Sequence, residues 1–378
     1  MISALIIENY RGFEKFSMDE VKRINLIVGG NNIGKTSVLE AIMLVISKGD
    51  PQTIWKIISG RGEIVNYGGI PHGVIQPEIS VRHLFHRHEV KLGSAFKIGA
   101  TMIQTNKTVK TVEVDFKIIE AKPEDNQILY ASLQNDVMDT FGPKIALSIT
   151  RSDIKNSLLP PIPLSSQGTL KQNTLQTLVN MNFKQFPNED GQAVFQYIPT
   201  TSLTGQELIS MWNSVALTTE EKHVVEALRS LDDKIEQVAA ISSPVVFTQF
   251  GQKTGFIVKM RDLESPVPIG SLGEGTWRML VLAIALVKSK DAILLIDEID
   301  IGLHFKALSS MWEMIVSASN RLNIQLFATT HNNDCIKALA MLKESEISIQ
   351  RIESFDGSAV NYSADEIKVA TRRNIEVR

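Results

Sequence analysis

The sequence predicts an α/β fold with a mixed central sheet, an antiparallel β part and a helical insertion. Three observations lead to this prediction. A strand, a glycine-rich turn and a helix follow one another between residues 24 and 48. An apolar strand near residue 295 ends in adjacent acids, and apolar and charged residues alternate within 78–122. Strand–turn–helix units favour parallel strands, whereas regular alternation favours antiparallel sheet with one solvated face.

The composition is that of an ordinary globular protein. Of 378 residues, 43% are hydrophobic and 21% are charged, which excludes extended disorder. The length suits one large domain with an insertion, or two domains that share an interface. The formal net charge of −3 provides no overall positive field for nucleic acid or a membrane, so any such contact must be local.

Neither a membrane helix nor a secretory signal is expected. The longest apolar run has nine residues from Met279, about half of the ~20 that span a bilayer. The first residues reach Glu8 after a short apolar stretch and lack a basic start and a cleavage region. A single cysteine, Cys335, excludes an internal disulfide, and a cytoplasmic protein is therefore expected.

The N-terminal elements predict a phosphate-binding unit. A first strand is expected at Ala4–Ile7, a second strand from Ile24, and a helix from Lys35 to about Lys48. The sequence GGNNIGKT lies between the second strand and the helix, and it has the glycine, lysine and threonine spacing of a phosphate loop. A strand before this motif and a helix after it make an accidental glycine-rich turn a poor explanation.

Each residue type in this loop has a physical role. Gly29 and Gly34 permit backbone conformations and close approaches that side chains forbid, while amides and the helix dipole face the phosphates. Lys35 is expected to reach the β- and γ-phosphates of ATP, and the Thr36 hydroxyl is expected to bind Mg²⁺. The predicted nucleotide-binding residues here are Gly29, Asn31, Asn32, Gly34, Lys35, Thr36 and Ser37.

The middle of the chain predicts an antiparallel β part at about 78–122 and a proline-rich loop at about 156–192. The alternation is clearest where Val112, Val114 and Phe116 are separated by Glu113 and Asp115. The proline-rich sequence LLPPIPLSSQGT cannot continue a helix. A short strand is expected from Ala193 and another β segment at Val245–Met260.

Two helices are predicted in an insertion at 201–242, between the main-domain segments 1–200 and 243–378. They are expected at Gln206–Ala216 and Thr219–Ala240, and Thr218 and Glu221 have capping-box spacing at the start of the second. One apolar stripe along the second helix predicts a packed insertion and excludes a long coiled-coil arm.

The segment AILLIDEID predicts the second half of a nucleotide site. Its apolar run Ile293–Ile296 suits a central parallel strand, and ligands collect at the carboxyl ends of such strands. Asp297 is expected to hold Mg²⁺, directly or through water, and Glu298 to accept a proton from the attacking water. His331 ends a second apolar strand, IQLFATTH, and is expected to lie beside the acids and contact the γ-phosphate.

The segment SLGEGTWRML, which begins at Ser271, predicts a second anion site. Gly273 and Gly275 precede a helix expected from about Thr276, so free amides and the positive end of the helix dipole would face an anion. Twenty-two residues separate Gly275 from Asp297, which links this segment to the predicted nucleotide site.

Taken together, these motifs resemble the ATP-binding-cassette (ABC) superfamily of P-loop ATPases. The sequences IENYRGF, GGNNIGKT, SLGEGTWRML, LLIDEIDIGLH and FATTH are most similar to its RecF, SMC and OLD branch, which includes OLD-like AAA ATPases of phage defence. The resemblance covers roughly residues 1–50 and 265–340. It implies an ABC-type ATPase head in which two ATPs are sandwiched in a head-to-tail dimer, or in a larger assembly of the same kind.

The resemblance also implies residue roles. Ser271 and the following glycines would contact the γ-phosphate of ATP held by the partner subunit. Asp300 would cross the dimer interface, and Arg11 would contact nucleotide. The sequence departs from the family pattern in its SLGEG signature and in Phe305, which stands where a proline follows GLH. The Q-loop glutamine is not assigned, and Gln52 and Gln76 are its candidates.

An ATP-driven switch that controls a separate nuclease or toxin in prokaryotic antiviral defence is the function that this resemblance favours. OLD nucleases carry a Toprim domain after the ATPase, but only 47 residues follow His331, so no such domain is expected here. The effector would then be a separate protein.

Two other functions are open on the sequence. A RecF-like DNA-binding ATPase is one, because residues 82–122 contain eight Lys or Arg against four acids, together with His83, His86 and His88. The same residues suit a solvated sheet face, and the histidines less well a zinc site. A transporter subunit is disfavoured because 236 residues separate Lys35 from Ser271.

Overall fold

The computed structural model describes most of the chain. The residues outside its description are 66–77, 104–107, 122–144, 154–159, 166, 173, 175–176, 179–194, 242–254, 343 and 373–378. The candidate Gln76, most of the proline-rich segment and the first part of the predicted strand Val245–Met260 therefore lie outside the described residues.

The strands of the described residues are numbered along the chain. They are β1 Ile2–Tyr10, β2 Phe13–Met18, β3 Ile24–Val28, β4 Ile64–Val65, β5 Glu78–Ser80, β6 Ala95–Ile103, β7 Val109–Glu120, β8 Ile145–Arg151, β9 Ile162–Leu164, β10 Thr169–Lys171, β11 Phe195–Ile198, β12 Ile235–Ala240, β13 Phe256–Met260, β14 Val267–Pro268, β15 Ile293–Ile296, β16 Gln325–Thr330, β17 Ile347–Arg351, β18 Asp356–Ser358 and β19 Val360–Tyr362.

The α-helices of the described residues are numbered in the same way. They are α1 Lys35–Ile46, α2 Pro51–Gly60, α3 Gly205–Trp212, α4 Glu221–Arg229, α5 Glu274–Lys288, α6 Leu308–Arg321, α7 Asn333–Met341 and α8 Ala364–Arg372. Within the described residues no helix is both long and apolar enough to cross a membrane. The longest apolar run of the sequence lies in α5, which has 15 residues and is buried from Thr276 to Leu286.

The chain divides into two compact units. The first comprises residues 1–19, 40–192 and 354–359, and the second comprises 20–39, 193–353 and 360–378. The predicted insertion 201–242 lies within the second unit, and its separation from the main domain stays a prediction.

A seven-stranded sheet dominates the first unit. Its strand order is β18-β2-β1-β6-β7-β8-β9, and every pair is antiparallel except β18 with β2. The alternation predicted in β7 is confirmed, since Val112, Val114 and Phe116 are buried while Glu113 and Asp115 are partly exposed. The strands β6 and β7 of this sheet lie within the predicted range 78–122, whereas β1, β2, β8 and β9 lie outside it.

Two short strands lie where a proline-rich loop was expected. The strands β9 and β10 occupy Ile162–Leu164 and Thr169–Lys171. Pro163 is tolerated in β9 because, among the described strands, this one pairs with β8 alone and lies at the edge of the sheet, where a missing N–H breaks no further ladder.

The second unit contains the mixed central sheet that the sequence predicts. Its order is β11-β15-β16-β3-β17-β19, and all pairs are parallel except β17 with β19. Ile296 pairs with Ala328, and Thr330 pairs with Val28. Because β3, β15 and β16 are parallel neighbours, the loops that follow them meet at one edge of the sheet.

The second predicted helix of the insertion is wrong in its C-terminal half. Helix α4 ends at Arg229, and β12 then pairs with β13 in antiparallel orientation. Asp232 ends the helical course, since its carboxylate accepts from the Lys234 N–H at 3.1 Å and its carbonyl from the Ile235 N–H at 3.2 Å. Ile235 is buried as predicted, but in a strand.

The capping box predicted at Thr218 is also wrong. The Thr218 hydroxyl donates to the Val215 carbonyl at 2.6 Å, and no side chain caps α4. A capping box is found instead at α3, where the hydroxyl of Thr204 accepts from the Glu207 N–H and the Glu207 carboxylate accepts from the Thr204 N–H. Both sites have the same sequence spacing, but at α4 the Glu221 carboxylate accepts from the Leu217 N–H and not from that of Thr218.

Candidate nucleotide-binding and hydrolysis site

The phosphate loop connects β3 to α1, as predicted. Gly29 and Gly34 have φ angles of 151° and 101°, and Asn32 has a φ of 61°. A Cβ atom on Gly29 would lie 2.8 Å from the carbonyl oxygen of Ile352, so a larger residue would displace the backbone. Helix α1 begins directly after this loop, at Lys35, and a helix N-terminus favours an anion.

Lys35 lies over the loop. Its Nζ donates to the carbonyl oxygens of Gly29 and Gly30 at 3.0 and 2.9 Å, and the residue is only 7% exposed. Burial lowers the pKa of the Lys35 ammonium, and the charges of Glu298 and Asp297 partly oppose this effect. A phosphate group would offer this desolvated cation a charged partner in place of two carbonyls.

Three hydroxyl groups converge on the carboxylate of Asp297, which directly follows β15. Thr36 donates to it at 2.9 Å, Thr200 at 2.8 Å and Thr329 at 2.6 Å. Asp297 is 5% exposed, so these hydroxyls compensate its buried charge. The structure thus brings Thr36 and Asp297 together, and their binding of a metal stays a prediction.

Glu298 is held at both its backbone and its side chain. Its φ is +49°, a left-handed conformation that is uncommon for a residue other than glycine. The N–H donates to the Thr329 hydroxyl at 2.8 Å, and the carbonyl accepts from Nη2 of Arg278 at 2.8 Å. Oε2 lies 2.7 Å from Nδ1 of His331, so the predicted pair of Glu298 and His331 is brought together.

Glu298 and His331 are more exposed to solvent than Asp297. Glu298 and His331 side chains are 19% and 53% exposed, so both can reach a solvent molecule or a ligand at this edge of the sheet. A carboxylate beside an imidazole can accept a proton from water and remain oriented while it does so. The arrangement is therefore suited to hydrolysis.

Asp300 lies three residues beyond Asp297 and is bound within its own chain. Its carboxylate accepts from the Thr330 hydroxyl at 2.6 Å and from the Asn332 amide at 2.8 Å. The residue is 8% exposed. Its crossing of a dimer interface stays a prediction.

The segment around Ser271 precedes helix α5, which begins at Glu274, two residues earlier than predicted. Ser271 and Gly273 are exposed, and the residue at the N-cap is Gly273 with a φ of 96° and a ψ of 171°. No side chain caps this helix. The geometry of an exposed helix N-terminus is confirmed, whereas its contact with a partner's nucleotide stays a prediction.

Arg11 belongs to a buried ion-pair network of the first unit. Its Nε lies 2.7 Å from the Glu40 carboxylate and its Nη1 lies 2.8 Å from the Glu63 carboxylate. Burial opposes the charge of Arg11, but the neighbouring Tyr10, Glu40 and Glu63 outweigh it and raise the guanidinium pKa. Its contact with nucleotide stays a prediction.

The first unit also holds Gln52 and the histidines that the sequence analysis named, and their roles stay predictions. Gln52, a Q-loop candidate, is exposed in the first turn of α2. His83 and His88 have their Nδ1 atoms 3.3 Å apart, and burial lowers the pKa of His83. Across the part of the chain that the structure describes, no cluster of three His, Cys, Asp or Glu suits a metal ion.

Three residues of the site were not selected from the sequence. Thr200 follows β11, Thr329 is the last residue but one of β16, and Arg278 lies in the first turns of α5. A lone arginine in the apolar run TWRMLVLAIALV was the visible signal for Arg278. The two threonines had no such signal, since hydroxyl residues commonly follow strands.

Two family models match parts of this chain. The family described as "AAA ATPase domain" matches residues 1–156, and the family described as "AAA domain, putative AbiEii toxin, Type IV TA system" matches residues 217–334. Each match covers less than half of the chain.

Individual relatives are distant in sequence. The chain is 22% identical over 373 residues to an ATP/GTP phosphatase of Helicobacter pylori, and the match covers 93% of this chain and 90% of that protein. It is 40% identical over 47 residues to an uncharacterized protein of Methanocaldococcus jannaschii, which covers 12% and 22% of the two chains.

The fold has a solved counterpart. An SMC head, crystallised with the C-terminal winged-helix domain of ScpA, superposes with a TM-score of 0.51 over 97% of this chain and 99% of its own, at 12% identity. The fold is therefore that of an SMC head, and two parts of the chain are similar to AAA ATPase families.

Proposed function

We propose that this protein binds Mg²⁺–ATP, hydrolyses it, and uses the cycle as a conformational switch that controls a separate effector. The observation that carries the proposal is the convergence of Thr36, Asp297, Glu298 and His331 at one sheet edge, in the unit that also holds Lys35. These groups correspond to nucleotide binding, metal binding and water activation.

The residues around Asp297 fit a magnesium ion. The donors that meet there are a carboxylate and the hydroxyls of Thr36 and Thr200, which are hard oxygen ligands of the kind that Mg²⁺ prefers. Thr36 and Asp297 would hold the ion, directly or through water, and the Thr200 hydroxyl would complete the set. When bound, Mg²⁺ neutralises charge on the phosphate oxygens.

The protein groups have distinct tasks in hydrolysis. Lys35 and the loop amides bind the β- and γ-phosphates. Glu298 accepts a proton from the water that attacks the γ-phosphorus, while the bond from that phosphorus to the bridging oxygen breaks and ADP leaves. His331 keeps the Glu298 carboxylate oriented and lies where it can donate to the γ-phosphate.

A head-to-tail dimer would complete the site. The exposed N-terminus of α5, with Ser271, Gly273 and Gly275, would bind the γ-phosphate held by the partner copy. Charge-assisted hydrogen bonds contribute about 1.5 to 3 kcal/mol each, and a two-fold interface repeats each contact. Since about 5.5 kcal/mol shifts a two-state equilibrium from 1:99 to 99:1, loss of the γ-phosphate is enough to open the pair.

The effector is proposed to be a nuclease or toxin of prokaryotic antiviral defence. The partial match to the AbiEii-described family supports a defence role. A resemblance to OLD-like ATPases supports the same role. The SMC head relative, solved with a ScpA domain, supports a protein partner for this kind of head.

A DNA-binding ATPase of RecF type is the second candidate. It is favoured by the basic excess in residues 82–122, where Arg82 and Arg87 are exposed. Binding of duplex DNA whose affinity falls steeply with salt would favour this function, and recovery of a nuclease or toxin with the purified protein would favour the effector switch.

Turnover measurements test the ATPase. Purified protein is expected to release ADP from ATP only with Mg²⁺ present, and Lys35→Ala is expected to abolish both this activity and ATP binding. The matched control is Lys290→Ala, which removes an exposed lysine after α5. Absence of ATP binding by the folded wild-type protein would refute the proposal.

A further inference from the structure

Arg278 is a buried cation in an otherwise apolar helix. It lies in α5, is 1% exposed, and is surrounded in sequence by fully buried apolar residues such as Trp277 and Met279. A buried charge is costly unless it is hydrogen-bonded, so its contacts identify what the site requires of it. Burial lowers the guanidinium pKa to about 10, which leaves it protonated at neutral pH.

The hydrogen bonds of the Arg278 guanidinium to described residues go to the loop after β15. Nη2 donates to the carbonyl oxygens of Asp297 at 3.2 Å and Glu298 at 2.8 Å, and Nε donates to that of Ile299 at 3.4 Å. The carboxylates of Asp297, Glu298 and Asp300 add electrostatic attraction. The guanidinium therefore fixes the backbone that carries the metal-binding and water-activating acids.

The contact at Glu298 has the largest consequence. A φ of +49° is unfavourable for glutamate and persists only where the surroundings enforce it. Arg278 binds the carbonyl and Thr329 binds the N–H of this residue. These two bonds hold the backbone of Glu298, from which its carboxylate extends to Nδ1 of His331.

The guanidinium is incompletely satisfied. Nη1 is buried and has no hydrogen-bond partner among the residues that the structure describes. A buried N–H donor without a partner costs free energy. A small displacement of the Arg278 side chain that brought Nη1 to an acceptor would therefore be favourable.

Helix α5 links this residue to the exposed segment around Ser271. Arg278 lies four residues after Glu274, the first residue of the helix, which is about 6 Å along its axis. A force on the helix N-terminus therefore moves the guanidinium with it.

We propose that Arg278 is a positioning residue that couples engagement of the Ser271–Gly275 segment to the orientation of Glu298 in the same chain. When this segment binds the partner's nucleotide, α5 shifts, and Arg278 sets Glu298 for attack in its own site. Hydrolysis at the two sites is consequently cooperative. This inference rests on the proposed ATP-bound dimer and adds a path from one site to the other.

The test compares Arg278→Met and Arg278→Lys with the control Lys288→Met, an exposed basic residue in the last turn of the same helix. Arg278→Met is expected to lower kcat at least tenfold, change ATP affinity by less than threefold, and reduce the Hill coefficient for ATP to 1. Arg278→Lys keeps the charge but loses the two-point donor, and an intermediate kcat is expected. Lys288→Met is expected to behave as wild type.

Thermal unfolding shows whether each variant is folded. If Arg278→Met does not fold, Arg278→Lys decides: reduced kcat at unchanged ATP affinity supports the coupling. Wild-type kcat and Hill coefficient in a folded variant would overturn it, as would equal losses of ATP affinity and kcat.

Failure of the coupling can be separated from failure of the proposed function. If Glu298→Gln abolishes turnover while the Arg278 variants keep normal kcat and cooperativity, only the coupling is wrong. If Glu298→Gln keeps full turnover, the proposed hydrolysis site itself is wrong.

Discussion

Replacing Glu298 by glutamine tests the chemistry of the site most directly. The substitution keeps the shape of the side chain and removes its capacity to accept a proton from water. The backbone of residue 298 remains bound by Arg278 at its carbonyl and by Thr329 at its N–H. The side chain lies at the sheet edge and is 19% exposed, so the free energy of unfolding is expected to change by less than about 1 kcal/mol.

The magnitude follows from the role of the residue. A positioned general base contributes about 10²- to 10⁴-fold to a rate, and each factor of ten corresponds to about 1.36 kcal/mol of activation free energy. We therefore expect kcat to fall by about 10²-fold or more. ATP affinity is expected to stay within about threefold, since Lys35 and the phosphate loop are unchanged.

Three measurements examine this expectation. ADP release at saturating ATP gives kcat, titration with a fluorescent ATP analogue gives affinity, and light scattering after size-exclusion chromatography gives the assembly state. Because bound ATP is not hydrolysed in this variant, the protein is expected to accumulate as a dimer or larger assembly. The control is Glu313→Gln, which alters an exposed glutamate of α6. Turnover within about threefold of wild type would show that Glu298 is not the general base.

The remaining predictions concern the groups around this acid. Lys35→Ala is expected to abolish ATP binding and any biological effect with it, as measured by nucleotide titration and a phage-challenge assay. Thr200→Val is expected to raise the Mg²⁺ concentration for half-maximal turnover severalfold, whereas Thr200→Ser should retain the wild-type value. Gly273→Val is expected to keep ATP binding but lose ATP-dependent dimers, because φ and ψ of 96° and 171° are accessible almost only to glycine.

Each of these expectations has an opposite outcome. Retained nucleotide affinity in Lys35→Ala would contradict the proposed phosphate site. Unchanged Mg²⁺ dependence in Thr200→Val would show that the Thr200 hydroxyl does not contribute to Mg²⁺ binding. Normal ATP-dependent dimers in a folded Gly273→Val would show that the N-terminus of α5 is not the partner's anion site.

The sequence alone determined the parts of the site whose residues are adjacent in the chain. In GGNNIGKT, the turn, the helix start and the lysine all lie within eight residues, and local backbone geometry is enough to place them. The strand Ile293–Ile296 and the acids that follow it were predictable for the same reason. Residues that are adjacent in the chain at the end of a strand are also adjacent in space.

Only the tertiary structure decided which distant groups meet. Thr36, Thr200 and Thr329 reach the Asp297 carboxylate because the parallel strands β11, β15, β16 and β3 end at the same edge of the sheet. The order of strands in a sheet cannot be inferred from any short segment of the sequence. Packing likewise made Ile235–Ala240 a strand, although its apolar spacing also suited a helix. The burial of Arg278 against the loop after β15 depends on the same long-range contacts, which a lone arginine in an apolar run signals but cannot specify.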